Sequence, residues 1–330
     1  MILVTGGTGL VGSHLLLYLT RKDIKVRAIY RTKNSLKKIR HLFKYYSAEP
    51  EKLWANIEWL PADITDIASL ESVFDGISHV YHTAAKVSFK PGDKEILMQT
   101  NVIGTANLLH LAMDHSIQKF LHVSSIAALG TYDNPVTEQT HWNWKEKHSD
   151  YAVSKYLSEM EVWRAGQEGL PVVIVNPSVI LGAHFWNDGI GKVIQKIRKG
   201  MLFFPPGGNG FVDVWDVVKI MTELMNRKIN NASFIVSGYD TSYIEFLTAL
   251  ANVLEKQPPK YKLPRLMAEI LYWIGRLTGK GITSRALLNT LFQHPHYSSQ
   301  KLIDTLDYKF IPFEASIQNL TRHYLKDFKK

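Results

Sequence analysis

The sequence contains no cysteine. Disulfide bonds, thiolate metal sites and a cysteine nucleophile are therefore excluded, and the composition fits a reducing compartment. Long apolar runs are missing too, since the most apolar stretch, LPRLMAEILYWIGRLTG, carries Arg265, Glu269 and Arg276. The opening residues, MILVTGG, show no charged leader and no apolar signal core. We therefore expect a cytoplasmic protein with no membrane span.

Two further absences narrow the chemistry. The histidine pairs HVYH and HPH match no spacing that is typical of a metal site, so we expect no bound metal. The glycine-rich segment TGGTGLVGSH is not followed by Lys-Ser or Lys-Thr, which excludes a phosphate-hydrolysing P-loop.

Positive charge is in excess, because 39 Lys and Arg against 30 Asp and Glu give a net charge of +9. Such an excess can meet nucleic acid, an anionic membrane or an anionic small ligand, or it can simply keep the surface soluble. Ten of the basic residues lie between residues 21 and 44. Nucleic-acid binding ranks last among the alternatives, because few aromatic residues, Phe43, Tyr45 and Tyr46, accompany that basic stretch. We expect no nucleic-acid partner.

Short apolar runs alternate with helical patterns through the first half of the chain. The runs MILVT, IKVRAIY, IEWLPAD, HVYHTAA, KFLHVSS and PVVIVNP predict six strands, and ASFIVSG predicts a seventh. Strands that alternate with helices form parallel sheets covered on both faces, which explains why these runs are apolar throughout. The predicted fold class is α/β, a Rossmann-type doubly wound parallel sheet with a smaller, interleaved C-terminal substrate domain.

The segment TGGTGLVGSH follows the first strand and opens a helix. Gly7, Gly9 and Gly12 fit the pattern G-x-G-x-x-G, while Gly6, Gly9 and Gly12 fit the related G-x-x-G-x-x-G. Either pattern permits a tight turn whose backbone amides and helix N-terminus face a pyrophosphate. A glycine-rich turn without a ligand is the alternative. We predict that Gly6, Gly9, Leu10 and Gly12 contact a dinucleotide.

The end of the second strand indicates which dinucleotide is preferred. An NAD-binding unit usually has an acidic residue there to accept the ribose hydroxyls, but this sequence has Arg31. An arginine can pair with a 2′-phosphate that a carboxylate would repel, and Lys38 in the next helix can add a second charge. A solvated basic helix is the alternative. We predict NADP(H) as the preferred cofactor, with NAD(H) as the second choice.

The residues that follow the third and fourth strands complete the predicted cofactor contacts. In PADITD, Asp63 can accept a hydrogen bond from the adenine amino group while Ile64 packs on the ring, although aspartate is also a common turn residue or helix cap. In HTAAK, the small Ala84 and Ala85 let the backbone approach a ligand closely, or serve tight packing of a helix on a strand.

The strand pattern stops after about residue 182, in the segments GAHFWNDGIG and MLFFPPGGNGF, and returns with a helix around 213–226. A linker-like run, KQPPKYKLP, then opens the last part of the chain. We therefore predict an NADP(H)-binding domain from 1–182 and 211–254, and a substrate-binding domain from 183–210 and 255–330.

A tyrosine four residues before a lysine occurs three times, at Tyr18, Tyr151 and Tyr297. In hydride transfer an acid must protonate the forming alkoxide, and a lysine one turn away, with oxidised nicotinamide, lowers the tyrosine pKa from about 10. Only Tyr151 begins a helix after the fifth strand, at the carboxyl edge where ligands bind. We predict that Tyr151 and Lys155 are catalytic, that Tyr18 packs, and that the match at Tyr297 is accidental, although a substrate-facing role there stays open.

Ser124 and Ser125 end the fifth strand. A hydroxyl at this place can orient a substrate carbonyl, and because adjacent strand residues point to opposite faces, at most one of the two serines faces the substrate. A turn that satisfies local backbone groups is the alternative.

The ordered set TGGTGLVG, HTAA, NVIGTAN, HVSSIAALG, YAVSK and NPSVILG resembles the extended short-chain dehydrogenase/reductase family, also called the NAD-dependent epimerase/dehydratase family, over most of residues 1–182. The resemblance implies that Ser125 steadies the carbonyl, Tyr151 is the acid/base and Lys155 binds the ribose and tunes Tyr151. It also implies that Asn101 supports the site or the cofactor ribose and that Pro177 lines the nicotinamide pocket. Family members often pair through two helices, so a homodimer is an implied option.

Within the family, the sequence is most similar to dihydroflavonol 4-reductases and 3β-hydroxysteroid dehydrogenase-like reductases, in the stretches VRAIYRTKNSLKK, GNGFVDVWDVVKIM and YSSQKLIDTLDYKFIPFEASIQNL. Ile126 and Ala127 stand where sugar-nucleotide dehydratases carry an acidic pair, so dehydration is disfavoured. Ala183 and Leu129 replace a proline and an aromatic residue common in the family. These departures leave the substrate open.

Aromatic side chains in the accessory segments can wall a pocket for a bulky apolar substrate, or form the core of that domain: Phe185, Trp186, Phe203, Phe204, Phe211, Tyr272 and Trp273. No basic clamp for a nucleotide diphosphate is evident, although Arg198 and Arg276 can converge on folding. We therefore predict an NADP(H)-dependent oxidoreductase that reduces a small-molecule ketone or aldehyde. The alternatives are a sugar-nucleotide epimerase and a non-enzymatic NADP(H) sensor.

Overall fold

The computed structural model describes residues 1–90, 92–130, 134–279, 281–282 and 284–328. The strands in this part of the chain are β1 (Ile2–Thr5), β2 (Val26–Tyr30), β3 (Ile57–Pro61), β4 (His79–His82), β5 (Lys119–Val123), β6 (Val172–Pro177), β7 (Val179–Leu181), β8 (Phe203–Phe204), β9 (Gly208–Asp213), β10 (Ala232–Val236), β11 (Tyr239–Ser242) and β12 (Tyr261–Lys262).

The helices of the same residues are α1 (Leu10–Thr20), α2 (Lys33–Tyr46), α3 (Pro50–Ala55), α4 (Lys94–Leu97), α5 (Gly104–Asp114), α6 (Asp150–Gln167), α7 (Gly189–Arg198), α8 (Val214–Asn226), α9 (Tyr243–Val253), α10 (Arg265–Thr278), α11 (Arg285–Thr290), α12 (Gln300–Leu306) and α13 (Phe313–Phe328). A π-helical segment, Met98–Ile103, joins α4 to α5. Short 3₁₀ turns lie at Ile67–Ser69, Glu71–Val73 and Ile126–Ala128.

Seven strands form one parallel sheet in the order β10-β6-β5-β4-β1-β2-β3. The chain moves outward in one direction from β1 through β2 and β3, and in the other direction from β4 through β5, β6 and β10. The neighbours β1 and β4 therefore mark the point at which the strand order reverses, where ligands of such sheets bind. All seven predicted strands are present, and the prediction of a Rossmann-type doubly wound sheet is confirmed.

The strands are apolar because both faces of the sheet are covered. Every residue of β5 and of β6 is buried. One apolar core lies against α1, α2 and α8 and includes Leu16, Phe43 and Val217. A second core lies on the other face against α5 and α6 and includes Leu108 and Val162. This two-sided burial is the arrangement that crossover helices impose on parallel strands.

Two smaller sheets, β11-β9-β7 and β12-β8, lie outside the main sheet. A third core joins α7, α9 and α13 through Ile194, Leu250 and Leu320. The helix α12, which precedes α13, packs on β10 and contributes Leu302 to the core of the main sheet. The two-domain division stays a prediction. These contacts nevertheless place α9 with the accessory helices and α12 with the main sheet, each on the other side of the predicted boundary.

Among the described residues, no helix is both long enough and apolar enough to cross a lipid bilayer.

Candidate active site

The glycine loop between β1 and α1 packs directly on the end of β4. Gly6 has a φ of +70°, and a Cβ atom on it would lie 2.5 Å from the Ala84 backbone nitrogen. A Cβ atom on Gly12 would lie 2.3 Å from the Gly6 carbonyl oxygen. Neither position therefore accepts a side chain, because backbone atoms cannot move aside as a flexible side chain can. The loop is held against the carboxyl ends of β1 and β4, where the strand order reverses.

The same loop fits a dinucleotide pyrophosphate. Gly9 is extended and caps α1, and a Cβ atom on it would meet only the Gly6 carbonyl oxygen, at 3.3 Å. No acidic residue lies in the first turn of α1, so its amides and the positive end of its dipole are open to an anion. Leu10 packs against Gly182, where the accessory segment begins. Gly6 and Gly12 shape this cradle, and Gly9 leaves its surface clear.

Arg31 and Lys38 are both exposed, just after β2 and within α2. Two of the other basic residues of this stretch are ion-paired, Arg27 with Glu58 and Arg40 with Glu51. Among the described residues, Arg31 and Lys38 have no carboxylate partner. Both charges are therefore available to an anion at this edge of the sheet.

The predicted adenine-side residues already have partners within the protein. The Asp63 carboxylate accepts hydrogen bonds from the backbone nitrogen and the hydroxyl of Thr65, at 3.0 and 2.9 Å. Ile64 is buried against Gly104 at the start of α5. Ala84 lies against Gly6, and Ala85 is exposed. The turn role of Asp63 and the packing role of Ile64 are thus visible, and their cofactor contacts stay predictions.

Asn101 lies in the π-helical segment and is buried. Its amide oxygen accepts from the Lys86 backbone nitrogen at 2.7 Å, and its amide nitrogen donates to the Lys86 carbonyl and the Ser154 hydroxyl, at 3.0 and 2.9 Å. Ser154 in turn donates to the Tyr151 carbonyl at 2.8 Å. One amide therefore fixes the loop after β4 to the helix that carries Tyr151. π-helical segments recur at functional sites.

Tyr151 is buried at the start of α6, whose N-terminus is capped by the Ser149 side chain. Burial raises the pKa of the Tyr151 hydroxyl above its ordinary value, and the neighbouring Ser125 side chain lowers it in part. The Phe89 ring packs edge-on against the Tyr151 ring, with centroids 5.5 Å apart. Of the two strand-end serines, Ser125 is therefore the one that meets the tyrosine.

Lys155 is buried one turn further along α6. Its Nζ donates to the Val123 carbonyl at 2.9 Å and lies 3.3 Å from Nε2 of His122. Burial lowers the pKa of Lys155 to about 8, and Glu159 raises it in part. Spacing alone predicted that this lysine, with oxidised nicotinamide, lowers the tyrosine pKa. In the protein without a cofactor, burial is the largest effect on the Tyr151 pKa, and it raises that pKa.

Glu159 is the buried carboxylate of this site. Its Oε2 accepts from the Asn176 amide at 2.9 Å, and that amide also donates to the Ser125 carbonyl at 3.2 Å. Burial raises the pKa of Glu159, while its hydrogen bonds and Lys155 lower it. Glu159 follows Lys155 by four residues, so the sequence alone could have predicted that the two side chains share one face of a helix. His122 and Phe89 gave no such signal, because their approach depends on tertiary packing.

The other two tyrosine–lysine pairs have different surroundings. Lys22 lies over the Tyr18 ring, 4.4 Å from its centre, and that ring packs on the core of the main sheet. Lys301 donates to the Ser233 carbonyl at 2.8 Å. Tyr297 packs with the core that includes Ile126 and Leu129, just after Ser125. Tyr297 is thus closer to the candidate site than its sequence position indicates.

A cavity of about 570 Å³ lies between the loops that precede α4 and α6 and the helices α10 and α11. Tyr151 does not line it, but Asp150 and Phe89 do, and the Phe89 ring packs against that of Tyr151. Its walls include Phe89, Trp144, Val153, Tyr272 and Arg276.

The predicted aromatic wall is divided by the fold. Trp186 and Phe211 are buried in the accessory core, and Phe203 packs beside the core of α10 and α11. Of the aromatic residues predicted for a pocket, Tyr272 lines the cavity. Pro177 is buried at the end of β6, opposite Val236 of β10.

A glycine loop at a helix N-terminus, on the carboxyl edge of a doubly wound parallel sheet, defines a dinucleotide-binding enzyme fold. The chain belongs to the NAD dependent epimerase/dehydratase family, whose model matches residues 2–236. It is an enzyme of the extended short-chain dehydrogenase/reductase type, an NAD(P)-dependent reductase, epimerase or dehydratase of small molecules. The resemblance stated from the sequence is confirmed.

Individual relatives agree with this assignment. The chain is 31% identical to sterol demethylase protein B of Methylococcus capsulatus, over 81% of this chain and 79% of that protein. It is 28% identical to a putative dihydroflavonol 4-reductase of Synechocystis sp., over 82% and 77% of the two chains. The crystal structure of gox2253 superposes with a TM-score of 0.83 at 25% identity, and covers 100% of this chain and 99% of that one.

The glycine loop yields a paired prediction. Gly12→Ala forces a Cβ atom against the Gly6 carbonyl, so we expect it to destabilise the fold by about 2 kcal/mol or more in urea denaturation. Gly9→Ala has a looser contact and should cost about 1 kcal/mol or less, yet weaken NADPH binding at least about tenfold by covering the cradle. Equal losses of stability for the two variants would contradict this assignment.

Proposed function

We propose that this protein is an NADP(H)-dependent oxidoreductase that reduces the ketone or aldehyde group of a small apolar substrate. The observation that carries the proposal is the closeness of the Ser125 side chain to the buried Tyr151 hydroxyl, with Lys155 one helical turn further, at the sheet edge that holds the glycine loop. An acid, an orienting hydroxyl and a cation lie together where a dinucleotide would present its reactive end.

The residues of the chain take separate parts in this mechanism. NADPH, when bound at the glycine loop, would supply the hydride. The Ser125 hydroxyl donates a hydrogen bond to the substrate carbonyl oxygen and holds it beside Tyr151. Tyr151 donates its proton to that oxygen as negative charge develops on it. Lys155 would hold the cofactor ribose and would stabilise the tyrosinate left behind, and the bonds made by Asn101 keep the helix of Tyr151 in place.

The proton affinities of the two groups suit reduction. Burial raises the Tyr151 pKa, so the hydroxyl carries its proton at neutral pH and is ready to donate it. The Lys155 pKa of about 8 keeps most of these side chains protonated at pH 7. At neutral pH both Tyr151 and Lys155 therefore carry the protons that the reduction of a carbonyl to an alcohol requires.

The cofactor preference in the proposal is supported by Arg31 and Lys38. The exposed cations at the end of β2 and in α2 lack carboxylate partners in the described part of the chain, and no acid stands at the ribose position. An apolar substrate is supported by the aromatic walls that Phe89, Trp144 and Tyr272 give the cavity.

A second candidate function is an epimerase that acts on an anionic sugar nucleotide. Arg276 and Arg285 line the same cavity, together with Lys90 and Lys147. Arg285 is already ion-paired with Glu269, and Arg276 donates to the Tyr272 hydroxyl, so both cations have partners. An epimerase returns its cofactor unchanged, and one NADPH oxidised for each product formed would therefore exclude it.

The central test is Tyr151→Phe, which removes the proton donor and keeps the ring. We expect kcat for NADPH-dependent reduction to fall at least about a hundredfold, with NADPH affinity nearly unchanged. The assay is NADPH oxidation over a panel of aldehydes, flavonoid-like ketones, steroids and sugar nucleotides. Tyr18→Phe, with the same spacing to a lysine, is the matched control and should keep wild-type rates. Full turnover by Tyr151→Phe would refute the mechanism.

The Lys155 pKa predicts an alkaline limit of activity. Above about pH 8 the ammonium loses its proton, so kcat/KM should fall towards tenfold per pH unit. Stability should change the other way: the unfolded chain keeps this proton up to its ordinary pKa of 10.5, so the free energy of unfolding rises between these values. A pH profile that stays flat to pH 10 would show that this charge is not required.

Arg31→Asp tests the cofactor preference directly. Replacing the cation by a carboxylate should repel the 2′-phosphate, and lower the ratio of NADPH to NADH affinity at least about tenfold in equilibrium binding. Lys44→Asp makes the same charge change on the exposed face near the end of α2 and is the control. An unchanged ratio in Arg31→Asp would assign the preference to other residues.

A further inference from the structure

The helix α10 exposes a broad apolar surface. Leu277, Leu266 and Trp273 have 86%, 74% and 55% of their surface exposed. We call the whole set the outer face, and it comprises Leu266, Met267, Ile270, Leu271, Trp273, Ile274 and Leu277. Apolar patches of this kind on a folded protein mark contact surfaces, because isolated exposed residues are common but a contiguous helical face is not.

The opposite side of α10 attaches the helix to the protein by a narrow stripe. Ala268, Tyr272 and Gly275 are its buried residues. Ala268 and Tyr272 pack in one small core with Leu288 of α11. The described part of the chain therefore leaves the outer face uncovered.

The charge of the sequence around α10 favours one occupant. Residues 255–290 contain seven Lys and Arg and two acidic residues. One of the two, Glu269, is ion-paired with both Arg265 and Arg285. The excess is positive, and a second copy of the chain would bring the same charge against it. An anionic lipid surface instead offers acyl chains to the apolar side chains and negative headgroups to the flanking cations.

The dimensions of α10 favour a helix that lies on the bilayer. Its 14 residues extend about 21 Å at 1.5 Å per residue, which is shorter than the roughly 30 Å hydrocarbon core. Leu202 and Tyr261, near the start of the helix, are also exposed and joined through a backbone hydrogen bond.

We propose that the outer face of α10 docks this protein on anionic lipid bilayers. Tyr272 and Arg276 of the same helix line the cavity that Asp150, next to Tyr151, also lines, so a docked α10 lies between the lipid and that cavity. Trp144, which is exposed, and Phe89 line the same cavity. Resting on the proposed reductase function, this placement specifies the substrate class: a carbonyl compound that is dissolved in the membrane.

The test is flotation of the full chain with vesicles made of equal parts phosphatidylcholine and phosphatidylglycerol, and with phosphatidylcholine alone. We expect binding to the anionic vesicles that weakens as salt is added. The double variant Ile270→Glu, Leu277→Glu should bind at least about tenfold more weakly. The control Ile67→Glu, Met160→Glu places the same charges on exposed apolar residues elsewhere and should bind as wild type. Urea midpoints equal to wild type verify that both variants fold.

Three results would overturn the proposal. The first is no binding to anionic vesicles, and the second is unchanged binding of the outer-face variant. The third is a dimer in sedimentation that the outer-face variant converts to a monomer, which would show that a second copy covers α10. Tyr151→Phe should float like wild type. Failure of docking and failure of the catalytic proposal are therefore separate results.

Discussion

The arrangement of the site depends on one contact between two stretches of backbone. Gly6, Gly12 and the Ala84 amide approach so closely that a single added methyl group would overlap backbone atoms. That contact joins the end of β1 to the end of β4, the neighbours at which the strand order reverses. The start of α1 and the loop fixed by Asn101 both take their positions from it. The side chains of the site are thus carried by segments that are held together by direct packing of backbone on backbone.

Burial acts on four buried titratable groups of the site, Tyr151, Lys155, Glu159 and His122, and in each case it favours the neutral form. It raises the pKa of Tyr151 and of Glu159, and it lowers the pKa of Lys155 and of His122. Lys155 and Glu159 oppose these shifts in each other, since each stabilises the opposite charge of its partner. At Tyr151 the group that offsets the pKa shift in part is the neutral side chain of Ser125. The hydroxyl therefore keeps its proton more firmly than a tyrosine in water.

Periodicity and spacing predicted much of this molecule. The seven strands, the glycine loop and the place of Tyr151 followed from local patterns, because apolar runs and helix starts are written within a few residues. The packing of α9 with α7 and α13 did not follow, since an apolar helical face does not specify which core receives it. The contact of Phe89 with Tyr151, and the upward pKa shift of that tyrosine, depend on residues far apart in sequence. The turn around Asp63 was foreseen only as one of two alternatives.

Asn101 connects two segments of the site that are far apart in the sequence. Its amide holds the backbone of Lys86 on one side and the hydroxyl of Ser154 on the other, within a helix widened locally to π geometry. The loop that leaves β4 and the first turn of α6 are therefore connected through one side chain. A displacement of this loop would therefore pull on the Tyr151 backbone through two hydrogen bonds, Asn101 to Ser154 and Ser154 to Tyr151.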